Sequence, residues 1–495
     1  MSDKNKKYVL AAIILFIFFL LRTINLTILP IFNDESTYIR YGMHQLNEPN
    51  HQPYSLLIGK EPLDPFLYAL FGTIFGNLLV GARLVTIGYG FLTLIGLYLF
   101  TKTFIGKKAA LFTALFYVFA PYAIFFDRLA LLDSSVSTIA IWTLYVTLLL
   151  IKKSNWRYGL CLGFLMGVGL WIKTSDLFYI ALPIISYIVF YFSDGDKEMI
   201  KAKLFFSAFL ISMIIFLPLF SNPFYAVHIE LLQQYTYPFF SVFLFPVTIW
   251  WDNLTSIIEW LFFYLTPPLF LLAVGSLVLA IKQKKFLLVH LWFFLPLVYE
   301  ILYAKLFTSR QALLLTVPLF IFAGYGFSLL LHRRKNIAVI LGVCMLVWSL
   351  YDSFILLTSP QQYPSLFVDK ARDDASQYFY GFSSGYGVLE AINYVQQLAS
   401  ATDGSIVVVT RNDHGNPEDA VIAYLDYKSN VILATMNYPQ EDVQKIFQRV
   451  GNTTPVYFVT RGNNNGGLEK YFLSEKKFSK PNDTDFVGVV QLKPF

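Results

Sequence analysis

Residues 8–29, YVLAAIILFIFFLLRTINLTIL, follow Lys4, Lys6 and Lys7 and run directly into Pro30-Ile31-Phe32-Asn33-Asp34-Glu35. A helix needs roughly 20 mostly apolar residues to cross a bilayer, and this run is long enough. No small-residue cleavage site follows it, so it reads as a retained helix with a cytoplasmic N-terminus rather than a removed signal peptide. Similar runs recur as far as residue 357, after which the composition becomes that of a soluble domain. The whole chain is 56% apolar, 18% aromatic and only 14% charged, far from the usage of soluble domains. These features point to a polytopic α-helical membrane protein.

Charge placement sets the expected topology. The net charge of +6 comes from short basic clusters between apolar runs, which is the pattern of the positive-inside rule and not of a nucleic-acid-binding face. Nucleic acid is therefore excluded as a partner. The clusters are Lys102/Lys107/Lys108, Lys152/Lys153/Arg157, Lys197/Lys201/Lys203, Lys282/Lys284/Lys285 and Arg333/Arg334/Lys335. Three apolar runs precede Lys102, at 8–29, 65–80 and 82–101, and three crossings would put Lys102 outside. The middle run is the shortest and is interrupted by Gly72 and Gly76. It is expected to be an interfacial helix within a first external loop, 30–81. Further spans are expected at 109–126, 134–151, 158–173, 177–192, 204–221, 257–281, 286–304, 311–331 and 336–357, about eleven crossings in all.

The division that follows is a membrane domain, 1–358, and an extracytoplasmic α/β domain, 359–495, in a multi-pass protein of the plasma membrane. Strands are expected at 405–410, 431–436, 455–460 and 486–492, with helices at 388–398 and 440–449. Cys161 and Cys344 lie in separate apolar runs and read as small packing residues. The outer face collects Asp34, Glu35, Lys60, Glu61, Arg83, Asp127, Arg128, Asp133, Lys173 and Arg310. Cations are unexpected there, and an anion at the outer membrane surface would account for them.

Five stretches carry a resemblance. They are Phe32-Asn33-Asp34-Glu35-Ser36-Thr37-Tyr38, Lys60-Glu61-Pro62-Leu63, Gly81-Ala82-Arg83-Leu84, Asp127-Arg128-Leu129-Ala130-Leu131-Leu132-Asp133 and Trp171-Ile172-Lys173. In this order the first third of the chain resembles the C-type glycosyltransferase superfamily (GT-C), in its protein O-mannosyltransferase and lipid A aminoarabinose transferase branch. Relatives often carry Pro-Pro where this chain has Pro62-Leu63. The resemblance implies a GT-C-like fold and inverting transfer of a sugar from a polyprenyl-phosphate donor. The acceptor would be a protein, lipid or polysaccharide at the extracytoplasmic face.

Phosphate is a stable leaving anion, so one carboxylate acting as base on the acceptor hydroxyl suffices. Asp34 is the expected base, with Glu35 and Asp133 as further catalytic acids. Lys60, Arg83, Arg128, Lys173 and Arg310 are the expected ligands of the donor phosphate, whose developing charge they would stabilise. Simpler readings exist for each group. Asp34 and Glu35 suit a helix cap, Arg83 and Lys173 suit snorkelling, and Asp127 and Arg128 suit a local ion pair. His44, His51 and His228 with Glu61 lack the spacing of a recognised metal site, so no cofactor is required and a divalent metal is not favoured. The alternative function is a polyprenyl-linked lipid flippase or transporter, which would call for polar midplanes and internal repeats. Runs such as 91–100 and 139–151 are nearly all apolar.

Overall fold

The computed structural model describes residues 3–193, 199–367, 374–464, 466–481 and 485–494; Lys197 of the third basic cluster lies outside them. The membrane part consists of helices α1 (Asp3–Thr23), α2 (Asn33–Asn47), α3 (Leu63–Ile74), α4 (Leu78–Phe104), α5 (Lys107–Phe119), α6 (Pro121–Asp127), α7 (Asp133–Lys153) and α8 (Trp156–Ile172). It continues with α9 (Phe178–Ser193), α10 (Met199–Phe220), α11 (Tyr225–Leu232), α12 (Val247–Tyr264), α13 (Pro267–Ala280), α14 (Leu287–Tyr303), α15 (Thr316–Arg333) and α16 (Lys335–Thr358). Among the described residues six helices are long and apolar enough to cross a membrane, or eight if each of two bent pairs is one span. α8 and α9 are apolar but shorter, at 17 and 16 residues. The chain is a mostly helical, multi-pass membrane protein with a small C-terminal sheet.

Three boundaries differ from the sequence reading. The first apolar run extends to Leu29, yet α1 stops at Thr23. Asn25 is left-handed at φ +47°, and the carbonyls around it accept from the Arg128 guanidinium. The expected span 257–281 is broken: α12 and α13 meet at 119°. Thr266 has φ +73°, and Pro267 and Pro268 behind it have no N–H to continue the ladder. The expected span 109–126 bends by 59° between α5 and α6, where Pro121 opens the second helix. α3 has 12 residues, about 18 Å at 1.5 Å per residue, too short to cross roughly 30 Å of hydrocarbon.

The contacts group the chain into two compact units. The first is Met1–Asn25, Pro53–Asp64 and Arg83–Arg372; the second is Leu26–Gln52, Pro65–Ala82 and Asp373–Phe495. Much of the external loop 30–81 thus groups with the C-terminal domain. In the first unit α8 packs along α10 through Gly159, Gly163 and Gly167. A Cβ on Gly163 would lie 2.7 Å from the Ala208 carbonyl oxygen. The spacing of four puts all three on one helical face, and the backbones approach where no side chain intervenes.

A buried ionic knot ties α1, α5, α6 and α7 together. Asp127 Oδ2 accepts from Arg22 Nε at 2.8 Å and from the Tyr117 hydroxyl at 2.9 Å. Its Oδ1 accepts from Ser134 Oγ at 2.9 Å. The Arg22 guanidinium stands 4.0 Å above the Phe18 ring. Buried charges persist only when paired and hydrogen-bonded in this way.

In the second unit the strands are β1 (Ile406–Arg411), β2 (Val431–Met436), β3 (Val456–Arg461), β4 (Phe472–Ser479) and β5 (Phe486–Leu492), in the order β2-β1-β3-β5-β4. β1 is parallel to β2 and β3, whereas β5 is antiparallel to both β3 and β4. The helices here are α17 (Val388–Ala401), α18 (Glu418–Leu425) and α19 (Pro439–Val450). Val407, Val409, Phe458, Val490 and Leu492 form a core with Val443 and Phe447 of α19. Two elements went unread. β4 is an edge strand with Glu475, Lys476 and Lys477 along it, a composition that protects edges and hides them from pattern reading. α18 has only eight residues and packs on α2.

Candidate active site

The first unit assembles its charged residues at the ends of helices. α7 and α8 are joined by Ser154, left-handed at φ +46°, and by Asn155, whose side chain caps α8 by accepting from Arg157 N at 2.9 Å. The helices therefore fold back on each other, with Lys152 and Lys153 at the turn. Asp133, the first residue of α7, and Lys173, the residue after α8, come together at the opposite end. Lys173 Nζ lies 2.8 Å from Asp133 Oδ1, with side-chain exposures of 26% and 7%. An anion at a helix N-terminus and a cation at a helix C-terminus are each favoured by the local peptide dipoles.

The segment Lys60–Asp64 adds three more charges. Glu61 Oε1 accepts from the Thr174 hydroxyl and stands 3.4 Å from His228 Nε2 on α11. The His228 side chain is fully buried, and its Nδ1 has no hydrogen-bond partner among the described residues. Asp64 is buried, with Oδ1 accepting from the Tyr89 hydroxyl at 2.7 Å and Oδ2 from Ser135 Oγ at 2.5 Å. Burial pushes its carboxyl up to about 7, against the pull of those two donors and with the charges of Glu61 and Asp133 assisting. Lys60 Nζ donates to the Tyr235 hydroxyl at 3.1 Å and lies 4.5 Å over that ring. A cavity of about 740 Å³ opens beside Glu61 and Thr174; Leu170, Leu177, Phe216 and Phe220 give it apolar walls.

The expected phosphate ligands take different positions. Arg128 directs its fork at carbonyls at the end of α1. Nη1 donates to Leu21, Arg22 and Ile24 at 3.3, 3.2 and 2.7 Å, and Nη2 to Asn25 at 2.7 Å. A cation at the last carbonyls is a C-cap. Arg83 is fully buried in α4, and Arg310 is partly buried in the 3-10 turn Ser309–Leu315. Asp127 belongs to the knot with Arg22.

In the second unit Asn33, Asp34 and Glu35 open α2. Glu35 is fully buried, and its Oε2 accepts from Phe32 N at 2.8 Å, which satisfies the N-cap backbone N–H. This engages Glu35, expected as a catalytic acid, in ending the helix. Asp34 is partly buried, and its Oδ1 accepts from Asn33 Nδ2 at 3.3 Å. His44 pairs weakly with Glu48 at 4.0 Å, and His51 Nδ1 lies 2.9 Å from Gln45 O. Among the described residues no three of His, Cys, Asp and Glu converge as metal ligands. Sequence reasoning missed Asp64, Thr174, Tyr89 and Ser135 as site residues. Only Asp64 left a trace, as the departure from Pro-Pro after Glu61.

Residues 59–221 match the family model described as dolichyl-phosphate-mannose-protein mannosyltransferase. No curated protein sequence matches the chain. Among solved structures, ArnT from Cupriavidus metallidurans bound to undecaprenyl phosphate aligns over 99% of this chain and 98% of its own, with 15% identity and a TM-score of 0.64. The oligosaccharyltransferase AglB from Archaeoglobus fulgidus, in complex with an inhibitory peptide and a dolichol-phosphate, covers 92% of this chain and 70% of its own, with 12% identity and a TM-score of 0.55. At these identities the structures speak for the fold. The family model thus covers 59–221, about a third of the chain, and the likeness along almost the whole length to the ArnT and AglB structures is one of fold.

Proposed function

We propose that the chain is an inverting glycosyltransferase that moves a sugar from a polyprenyl-phosphate donor to an acceptor at the extracytoplasmic membrane face. The observation that carries the reading is the cavity of about 740 Å³ in the first unit, apolar along its walls and polar at Glu61 and Thr174. An isoprenoid phosphate has that division between tail and head. The undecaprenyl phosphate of the ArnT structure and the dolichol-phosphate of the AglB structure support the donor class. The basic turn Lys152/Lys153, opposite Asp133 and Lys173 on the α7–α8 pair, supports an extracytoplasmic site with the N-terminus inside.

In this reading Lys60, Lys173, Arg83 and Arg310 receive the donor phosphate, and Asp133 holds Lys173 in place. Asp34 takes the proton of the acceptor hydroxyl. The acceptor oxygen forms its bond to the anomeric carbon from the face opposite the phosphate. The carbon–oxygen bond to phosphate breaks, and the electron pair leaves with the lipid phosphate. Charge grows on the leaving group in the transition state, where preorganised cations act most strongly. These cations supply the countercharge, so the reaction is proposed to run without a resident metal. Protein, lipid and polysaccharide acceptors all offer the required hydroxyl.

The test is transfer by purified protein from a panel of polyprenyl-phosphate sugars. Asp34→Asn and Lys173→Met are each expected to lower turnover about 100-fold or more, typical for one preorganised charged group. Near-normal transfer by both variants, or no transfer by wild type with any donor, would overturn the reading.

A further inference from the structure

The second unit holds a chain of contacts that runs from the C-terminal sheet to Asp34. It begins at the loop between β1 and α18. Asp419 is fully buried and its carboxylate is shared: Oδ2 accepts from Thr37 Oγ1 at 2.5 Å and from Gly415 N at 2.7 Å, and Oδ1 pairs with Arg40. Thr37 and Arg40 lie on α2, one helical turn apart, so a single carboxylate ties this loop to the first turns of the helix that Asp34 opens. Asn416, 1% exposed, donates from Nδ2 to Ile31 O at 2.9 Å, just ahead of the same helix.

The contact closest to the chemistry is made by Asn33. Its Oδ1 accepts from Asn416 N at 2.8 Å, its Nδ2 donates to Asp34 Oδ1 at 3.3 Å, and its own N–H donates to Ser383 O at 3.0 Å. An amide has one accepting and one donating end. With the oxygen held by the loop, the NH₂ end points at Asp34. Gly415 makes the approach feasible: it has φ +92°, and a Cβ there would stand 2.0 Å from Asn33 Oδ1. Only glycine tolerates both the conformation and the contact.

We infer that Asn33 is a positioning residue for Asp34, and that the Gly415–Asp419 segment of the C-terminal domain, the end of the loop and the start of α18, sets its orientation. The inference rests on the reading of Asp34 as the base. The C-terminal domain then has a task in the transfer itself: it holds the amide that orients the carboxylate, so the acceptor proton meets a fixed oxygen. A side chain that needs no reorganisation at the moment of reaction raises turnover and leaves donor binding untouched.

Asn33→Ala and Gly415→Ala decide the matter, with thermal unfolding measured beside steady-state transfer in the full-length protein. Asn33→Ala removes the relay. Gly415→Ala leaves every relay group present but displaces Asn33. Both are expected to lower kcat about tenfold or more, with the donor KM within about twofold of wild type. If Gly415→Ala does not fold, Asn33→Ala alone gives the answer. Wild-type kcat in folded Asn33→Ala, or a loss explained wholly by a lower folded fraction, overturns the positioning role. Asp34→Asn is the control: if it stays active, the base assignment fails first, and if it is inactive while Asn33→Ala is normal, only the positioning inference fails.

Discussion

Replacing Asp127 by Asn keeps the shape of the side chain and removes its charge. The carbonyl end can still accept from the Tyr117 hydroxyl, which now stands 2.9 Å from Oδ2. Arg22 retains the carbonyls of Val118 at 3.2 Å and Tyr117 at 3.4 Å, and its guanidinium stays over Phe18. It loses its countercharge while 0% exposed. Removing one partner of a buried pair costs about 3–5 kcal/mol. The surviving carbonyls and the ring, a contact worth about 0.5–2 kcal/mol, keep the expected loss near the lower end, about 3 kcal/mol. At about 1 °C per kcal/mol for a chain of 495 residues, the melting temperature should fall by roughly 3 °C.

The double variant Arg22→Leu with Asp127→Leu removes both charges and should be more stable than Asp127→Asn, because no buried ion is left unpaired. The assay is thermal unfolding of purified protein in detergent or nanodiscs, followed by tryptophan fluorescence, with transfer normalised to the folded fraction. Normalised transfer by Asp127→Asn should stay within about twofold of wild type, since Asp127 faces Arg22, Tyr117 and Ser134 and not Lys173. A fall of less than about 1 °C, or a double variant less stable than the single one, would refute the knot as a structural element.

Two further outcomes separate architecture from chemistry. Glu35→Gln should keep both stability and transfer, because the Gln carbonyl can also accept from Phe32 N, whereas Glu35→Ala should cost about 1 kcal/mol; loss of transfer by the Gln variant equal to that of Asp34→Asn would return Glu35 to the chemistry. Asp64, with its carboxyl raised by burial from 3.8 to about 7, keeps its proton in the folded protein at pH values where the unfolded chain has lost it. The stability it contributes is therefore fully present below about pH 4 and is lost as the pH rises through about 7. Asp64→Asn should flatten that dependence in a series of melting curves, and an unchanged slope would show that another group titrates.

The five motif stretches were legible because local composition carries them: charged residues beside apolar runs stand out in any window. Strands β2 and β5 were read to the residue, since β-branched and apolar residues bounded by turn residues mark them as strands. β4 was not, because Glu475, Lys476 and Lys477 along it remove the apolar pattern that β2, the other edge strand, keeps. In the sequence Asp127 and Arg128 stand side by side, Arg128 as an expected phosphate ligand and the two as a candidate local ion pair, whereas in the structure Asp127 faces the Arg22 side chain and Arg128 the carbonyls at the end of α1. Adjacent side chains on a helix end point in different directions, and no window of sequence records which distant partner each will meet.

Bilayer residence, the rough position of the apolar runs and the presence of a C-terminal α/β domain follow from the sequence alone, because they depend on length and on the free energy of placing apolar and charged groups. The tertiary structure decided everything that joins residues far apart in the chain. It ended α1 at Thr23 and broke the span after Tyr264. It brought Lys173 to Asp133 across 40 residues and Asn416 to Asn33 across 383. Those pairings depend on which helix ends and loops pack together, and the packing is set cooperatively by the whole chain rather than by any local pattern.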